Sequence, residues 1–332
     1  MSKLVKKFAA ALAIATLSVA TLTVTSATAA PKLTTIKLDY ATWNPLSLVL
    51  KKKGWAEAEF KKQNIKVEWI YSASSAAALQ SLNANAINVA SSAGAPAYTS
   101  RANGAKLKTI GVFSQPKWAS IAVAKGSPIT DIKQLKGKKI AAASGTDPYF
   151  HLLLALDAAG LSSRDVTILN LPHADGQKAV VAGQVDAWAG LDPLTAQAER
   201  NSGVKIIYSN AKFNTWGVLS ANEDFIKNYP NQLITVLKLY EKARAYTLAQ
   251  GSEAAQILSA AANISSTEAI KVLLNRTKID VSIVPGAAQA AVLKSVTPVL
   301  VEEGRIKSAD AAKAALASLY NATLAKKAIA KK

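Results

Sequence analysis

Chemically reactive side chains are scarce in this chain of 332 residues. It has two histidines, His151 and His173, and no cysteine. No His-x-x-x-His or similar spacing occurs, so neither a metal site nor a cofactor is expected. No G-x-S-x-G, P-loop or dinucleotide fingerprint is present. Glu57 with Glu59, and Glu302 with Glu303, are adjacent in helical patterns whose other residues are solvated, which describes a charged face rather than acid–base work. Binding groups are better supplied. Ser144-Gly145-Thr146-Asp147-Pro148 follows the apolar run Ile140–Ala143 and precedes Tyr149–Leu154, a strand, a small-residue turn and a helix start. Pro148 suits the first helical position, and Gly145 and Thr146 leave backbone N–H groups at the positive helix end, where anions are attracted. The pattern recurs at Ser91-Ser92-Ala93-Gly94-Ala95-Pro96 and at Leu191-Asp192-Pro193.

The elements that must position these turns alternate. From Leu33 to Ser220 short β-rich runs and helical patterns succeed one another, which reads as α/β layering with mostly parallel strands. Strands are expected at Ile36–Tyr40, Ile65–Tyr71, Ile87–Ala90, Leu107–Phe113, Lys139–Ala143, Val166–Leu169, Ala187–Ala189, Val204–Tyr208 and Trp216–Ser220. One helix is expected from Pro45 to Phe60, another after a Ser72 or Ser74 cap, and another from His173. Ser114-Gln115-Pro116-Lys117-Trp118 interrupts the pattern and marks a crossing between lobes, with the return at Trp216–Ser220. After Asn222 the chain is helical, with a long helix at Asn231–Leu248 and a last one at Ser308–Ala328. In an open parallel sheet, ligands settle at the carboxyl ends of the strands. Four loops fit that position: Thr42-Trp43-Asn44, Ser91-Ser92-Ala93-Gly94, Gly145-Thr146-Asp147, and Trp188 with Asp192. Hydroxyls, amides, free N–H groups and two indoles suit a small polar or anionic molecule with an apolar part.

Composition narrows the class. Lys3, Lys6 and Lys7 precede the apolar run Phe8–Ala20, and Ala27-Thr28-Ala29 offers small residues at a cleavage site, so residues 1–29 are expected to be a secretory signal peptide. Removing its three lysines takes the net charge from +19 to +16. The lysine runs are scattered and not interleaved with aromatic residues, so nucleic acid is not an expected partner. Without cysteine there is no disulfide framework and no thiol for a lipid anchor. The expectation is an exported, periplasmic or extracytoplasmic monomer, large enough for two lobes.

A resemblance carries the reading further. Pro172-His173-Ala174-Asp175-Gly176, Gly183-Gln184-Val185-Asp186-Ala187-Trp188 and Leu191-Asp192-Pro193 resemble the "PADA…G.VDAW…WDP" segment of periplasmic aliphatic-sulfonate-binding proteins of ABC importers. Gln134–Ala141 and Ser144–Leu153 resemble that family's "DLKGKKVA…KGS..HYLL", and similarity also runs through Val67-Glu68-Trp69 and Ser92–Pro96. The wider group binds sulfonates, taurine, nitrate and thiamine precursors. The resemblance implies a two-lobed periplasmic-binding-protein clamshell of type II-like form, with residues 30–117 and 219–332 in one lobe and 118–218 in the other. It implies Ser92–Ala95 and Gly145–Thr146 on opposite walls, Trp188 and Asp192 on the second lobe, and a membrane permease as partner. Two positions depart from the family: Leu191 stands where a tryptophan is frequent, and Tyr40-Ala41-Thr42-Trp43-Asn44 replaces a Gly-Tyr-Gln type of loop. An aromatic wall would then come from Trp43 or Trp118; Tyr40, Gln115 and Trp118 are further candidates for contact with the ligand.

Asp192 leaves two ligand classes open. Facing away as a helix cap it permits a simple sulfonate; facing the cleft it calls for an ammonium group, as in a taurine-like zwitterion. A related-fold enzyme such as a pyrimidine-precursor synthase would need His and Cys chemistry, which the absence of cysteine opposes. A surface adhesin would account for the basic runs but leave the four loops unexplained.

Overall fold

The computed structural model describes residues 31–330; the expected leader, residues 1–29, and the terminal Lys331-Lys332 lie outside the described residues. Residues from Lys32 onward form one compact unit. Its strands are β1 (Thr35–Tyr40), β2 (Lys66–Tyr71), β3 (Ala90–Ala93), β4 (Leu107–Pro116), β5 (Ala119–Val123), β6 (Lys139–Ala142), β7 (Thr167–Asn170), β8 (Ala187–Leu191), β9 (Lys205–Tyr208), β10 (Gly217–Asn222) and β11 (Thr277–Lys278).

The strands sort into two regions by sequence. Strands β11-β4-β10-β3 form one sheet, beside which β1 pairs in parallel with β2, and Leu38 of β1 bridges Val89 at the approach to β3. Strands β7-β6-β8-β5-β9 form the other, drawn entirely from the middle of the chain. The chain crosses between the sheets at Lys117-Trp118 and returns between β9 and β10. This is the two-lobed α/β clamshell architecture. Its sheets are mixed: β6 runs parallel to β7 and β8, whereas β5 pairs antiparallel with β8 and β9, and β10 antiparallel with β3 and β4. The antiparallel pairs involve the strands that enter and leave each region, because a strand arriving straight from the other sheet has no helix to reverse its direction.

The helix Asp147–Ala158 shows how the second region is held. Its residues Asp147 to Leu156 are all buried, unlike a helix with one wet face. It lies on β5 and β8 and is covered by the helices Gly94–Ala102 and Ala287–Glu302. Leu152, Leu153, Leu154 and Leu156 each contribute roughly 1.5–3 kcal/mol by leaving water. On the other face of that sheet, Trp188 of β8 is packed under the helix His173–Val181. A Cβ on Gly176 would stand 2.8 Å from the Trp188 indole, so only glycine permits this helix-to-sheet approach.

Three local expectations change. The helix expected from Pro45 to Phe60 is two, Pro45–Lys52 and Trp55–Lys61, because Gly54 between them adopts φ +64°. The expected Ser308–Ala328 helix is Ala309–Ser318 and Ala322–Ile329; Tyr320 leaves the helix to bridge Thr109, and the side chain of Asn321 caps the second piece. The expected strand Ile87–Ala90 forms instead at Ala90–Ala93, so Ser91, Ser92 and Ala93 are ladder residues opposite Leu219, Val218 and Gly217 rather than a loop.

Candidate functional site

A cavity of about 550 Å³ lies where the carboxyl ends of β1, β2, β6, β7 and β8 converge. Each contributes residues at or just beyond its last pairing. Thr42 and Trp43 follow β1, Tyr71 ends β2, Ala143 and Ser144 follow β6, Asn170 ends β7, and Leu191 with Asp192 closes β8. Three helices begin at the wall. Ser74 is the cap of Ser75–Asn83 and accepts from the Ala77 N–H at 3.2 Å. Pro172 precedes His173–Val181, whose start has no side-chain cap, and Pro193 precedes Leu194–Ser202. Their first N–H groups have no carbonyl within the helix to satisfy them. Ala261 and Ala262 complete the wall.

The wall is apolar in area, with a few polar groups set into it. Trp43 is 6% exposed, edge-on to Trp118 at 5.7 Å, and its Nε1 has no hydrogen-bond partner. His173 is 5% exposed and neither ring nitrogen has one. Burial pushes the His173 pKa down to about 4, so the ring is neutral near pH 7 and can donate one hydrogen bond and accept one. The Asn170 Oδ1 accepts from the Ser144 N–H at 2.9 Å.

Asp192 also lines the cavity, but its carboxylate is engaged. Arg276 Nη1 donates to Oδ1 at 3.0 Å and to Oδ2 at 3.3 Å, and the Ala196 N–H donates to Oδ1 at 3.2 Å. Burial raises its pKa to about 6, with the Arg276 guanidinium acting against that rise.

The other residues singled out from the sequence are placed elsewhere, most of them with a polar atom taken by a nearer protein group. Asn44 donates to the Tyr240 hydroxyl at 3.2 Å and accepts from the Ser47 N–H. Ser91 donates through its N–H and hydroxyl to the buried carboxyl of Asp39, whose pKa burial pushes up to about 7. The Ser92 hydroxyl donates to the Ala93 carbonyl, and the Ala93 N–H donates to Ser75 Oγ. The Gly94 N–H donates to the carbonyls of Thr215 and Trp216, and the Ala95 N–H to Thr215 Oγ1 at 2.7 Å. Gly145 lies with Pro96 in a separate groove of about 340 Å³. Thr146 donates to the Ala143 carbonyl at 2.6 Å. Asp147 accepts from Trp118 Nε1 at 2.7 Å, from the Thr215 hydroxyl at 2.6 Å and from the Thr215 N–H, so it ties both crossings to the helix Asp147–Ala158. Trp188 is sealed beneath Gly176, Gln115 pairs with Lys278 at the sheet edge, and Tyr40 stacks among Trp69, Tyr71 and Lys51. Trp43 and Asp192 are thus the two of these residues at the cavity. Ser74, named from the sequence only as a cap, His173, named only as a histidine at a helix start, and Asn170 join them. Their sequence signal is a cap or helix start directly after a strand, which marks the carboxyl edge of a sheet without saying which such turns share one cavity.

Among the described residues no group of three or more histidines or acids is placed to hold a metal ion. No single described helix is long and apolar enough to cross a membrane.

Comparison with known proteins agrees with this architecture. The chain is 29% identical over 215 residues to a Bacillus subtilis protein named as an aliphatic sulfonates-binding protein; the match covers 64% of this chain and 65% of that one, just under two thirds of the relative's length. The solved periplasmic aliphatic sulphonate binding protein SsuA from Escherichia coli superposes with TM-score 0.71 at 26% identity, covering 84% of this chain and 89% of that one. The alkanesulfonate-binding protein SsuA from Xanthomonas axonopodis pv. citri, solved bound to MOPS, shares the fold with TM-score 0.74 at 23% identity, over 85% and 99% of the two chains. Residues 47–254 match the family described as NMT1/THI5 like, a span that runs from the first helix through both crossings and every strand at the cavity except β1, and the chain belongs to that family.

Proposed function

We propose that this protein is the exported solute-binding component of an ABC importer. It captures a small aliphatic sulfonate in the cavity at the strand ends and delivers it to a membrane permease. The observation that carries the reading is a pair of buried side chains without partners, Trp43 Nε1 and the His173 ring, in a wall where three helices begin and no lysine or arginine side chain is found. A sulfonate oxygen accepts hydrogen bonds and never donates, so it matches donors that the protein's own groups leave unmet. Of the three helix starts, that of His173–Val181 has no side-chain acceptor of its own, and such a helix end contributes roughly 0.3–2 kcal/mol to a nearby anion. Several charge-assisted hydrogen bonds at about 1.5–3 kcal/mol each bring the sum to the roughly −8 kcal/mol of micromolar binding. The similarity to sulfonate-binding relatives supports the same ligand class.

The reading extends to the parts that serve this task. Residues 30–117 with 219–332, and residues 118–218, act as the two lobes that close on the solute, as a monomer without a lipid anchor. The wall suits binding rather than turnover, since His173 has no hydroxyl hydrogen-bonded to it as a nucleophile would be. With its carboxylate held by Arg276 and Ala196, Asp192 favours a simple anion over a taurine-like zwitterion; nitrate and thiamine precursors are the competing ligands. Thermal-shift titration of the mature protein with propanesulfonate, hexanesulfonate, taurine, nitrate and a thiamine precursor tests this. Stabilisation by the alkanesulfonates above the others is expected, and no shift with any of them would overturn the assignment.

A further inference from the structure

The cavity wall carries one carboxylate, Asp192, and no side-chain cation. Left alone, that buried carboxylate would repel an anion beside it, because a buried charge is screened far less than an exposed one. The group that offsets it stands outside the wall. Arg276 follows the helical turn Lys271–Asn275 and precedes β11, in the region of the first sheet, whereas Asp192 ends β8 in the second. Its Nη1 bonds both Asp192 oxygens, and its Nη2 donates to Glu199 Oε2 at 2.6 Å. Glu199 lies on the helix Leu194–Ser202 and also pairs with Lys271 at 3.1 Å. Two cations and two anions thus close a network of zero net charge behind the wall. Asp192 is buried in it and Arg276 half-buried, with side chains 4% and 17% exposed. A second link from the helix Leu194–Ser202 runs from Arg200 to Glu268, on the helix Ser266–Ile270, at 3.9 Å.

We propose that Arg276 sets the charge selectivity of the cavity: paired with Asp192 it lets the wall accept an anion that carries no ammonium group, and without it the same wall selects a zwitterion. The inference rests on the sulfonate reading of the cavity. Arg276 is a positioning residue, acting through Asp192 and not through contact with the solute.

Propanesulfonate and taurine make the test, since they differ by a methyl against an ammonium group at one end. Dissociation constants for both are measured by calorimetry on the mature protein and on Arg276→Met, Asp192→Asn and the double variant. The wild type is expected to prefer propanesulfonate. In Arg276→Met the preference ratio should move toward taurine by at least about tenfold. Asp192→Asn, which keeps an acceptor for the Ala196 N–H, should move it the other way, and the double variant should return it near the wild-type value. The groups facing Asp192 are Arg276, Glu199 and the Ala196 N–H, with His173 on the same wall and Lys271 reached through Glu199. Once Arg276 is gone, burial lifts the Asp192 pKa further, so the taurine preference of Arg276→Met should be larger at about pH 8 than at about pH 5. Loss of packing alone would weaken both ligands together and leave the ratio and its pH dependence flat. An unchanged ratio in folded Arg276→Met overturns the proposal; should that variant not fold, an unchanged ratio in Asp192→Asn does. Failure of the wild type to bind either compound would instead remove the sulfonate reading, and this inference with it.

Discussion

The helix that starts at Gly94 and the helix that starts at His173 have the same length and opposite fates at their amino ends. At the first, the Gly94 and Ala95 N–H groups donate to Thr215 and Trp216, residues of the return crossing, and the strand before it is held by Asp39 through Ser91. At the second, Pro172 offers no side-chain cap, and His173 brings a buried ring without partners to the edge of a cavity. A helix start attracts an anion only as long as the protein supplies no acceptor of its own. The first serves the frame that joins the two sheets, and the second opens on the cavity where the proposed solute would bind.

The two histidines extend the contrast and give the largest expected effect. His151 is buried against the Tyr208 and Phe213 rings, His173 at the cavity, and burial pushes both pKa values down to about 4. The unfolded chain takes up a proton near pH 6.5, the folded one only near 4, so stability is full above that window and is lost as pH falls through it. The loss reaches about 3 kcal/mol per histidine at about pH 4. Asp39, Asp147 and Asp192 act in the opposite sense. Burial raises their pKa values, and the cost of keeping them ionised is relieved on acidification. Urea denaturation of His151→Phe across that range should show the acid loss reduced by about 3 kcal/mol relative to the wild type, with solute affinity unchanged. A bound sulfonate should protect against the part owed to His173 and not the part owed to His151; equal protection of both would break the contrast.

Next in size is Asp147→Ala. It leaves Trp118 Nε1 and Thr215 without their acceptor and should cost about 2 kcal/mol in urea denaturation. Asp147→Asn, which keeps one acceptor, should cost about half as much. Direct binding changes come after that. His173→Leu and Trp43→Phe should each weaken propanesulfonate by about tenfold, equivalent to ~1.4 kcal/mol, because neither polar group has a protein hydrogen-bond partner; Trp43→Phe also gives up ring contact with Trp118 and Phe113 and should lower the melting temperature, His173→Leu little. The smallest effect is expected for Ser92→Ala. Its hydroxyl is bonded to the Ala93 carbonyl, so affinity should stay within about twofold; a tenfold loss would return the Gly94 helix start to the binding site.

Local sequence determined a good deal here. The alternation of strand and helix, the placement of Pro45 and Pro148 in the first turns of their helices, the Ser74 cap and the two crossings follow from near-neighbour chemistry: hydrophobic period, proline's missing N–H and capping side chains act within a few residues. The rule that ligands settle at the carboxyl ends of strands pointed to Trp43 and Asp192, and both line the cavity there. Tertiary structure alone decided which of several similar turns stay open. Thr215 lies 120 residues from Ala95 and 68 from Asp147, Asp39 lies 52 from Ser91, and Arg276 lies 84 from Asp192. Whether a helix start or a carboxylate is free depends on partners at such separations, and those partners are chosen when the sheets and their crossings pack, not by the residues beside them in the chain.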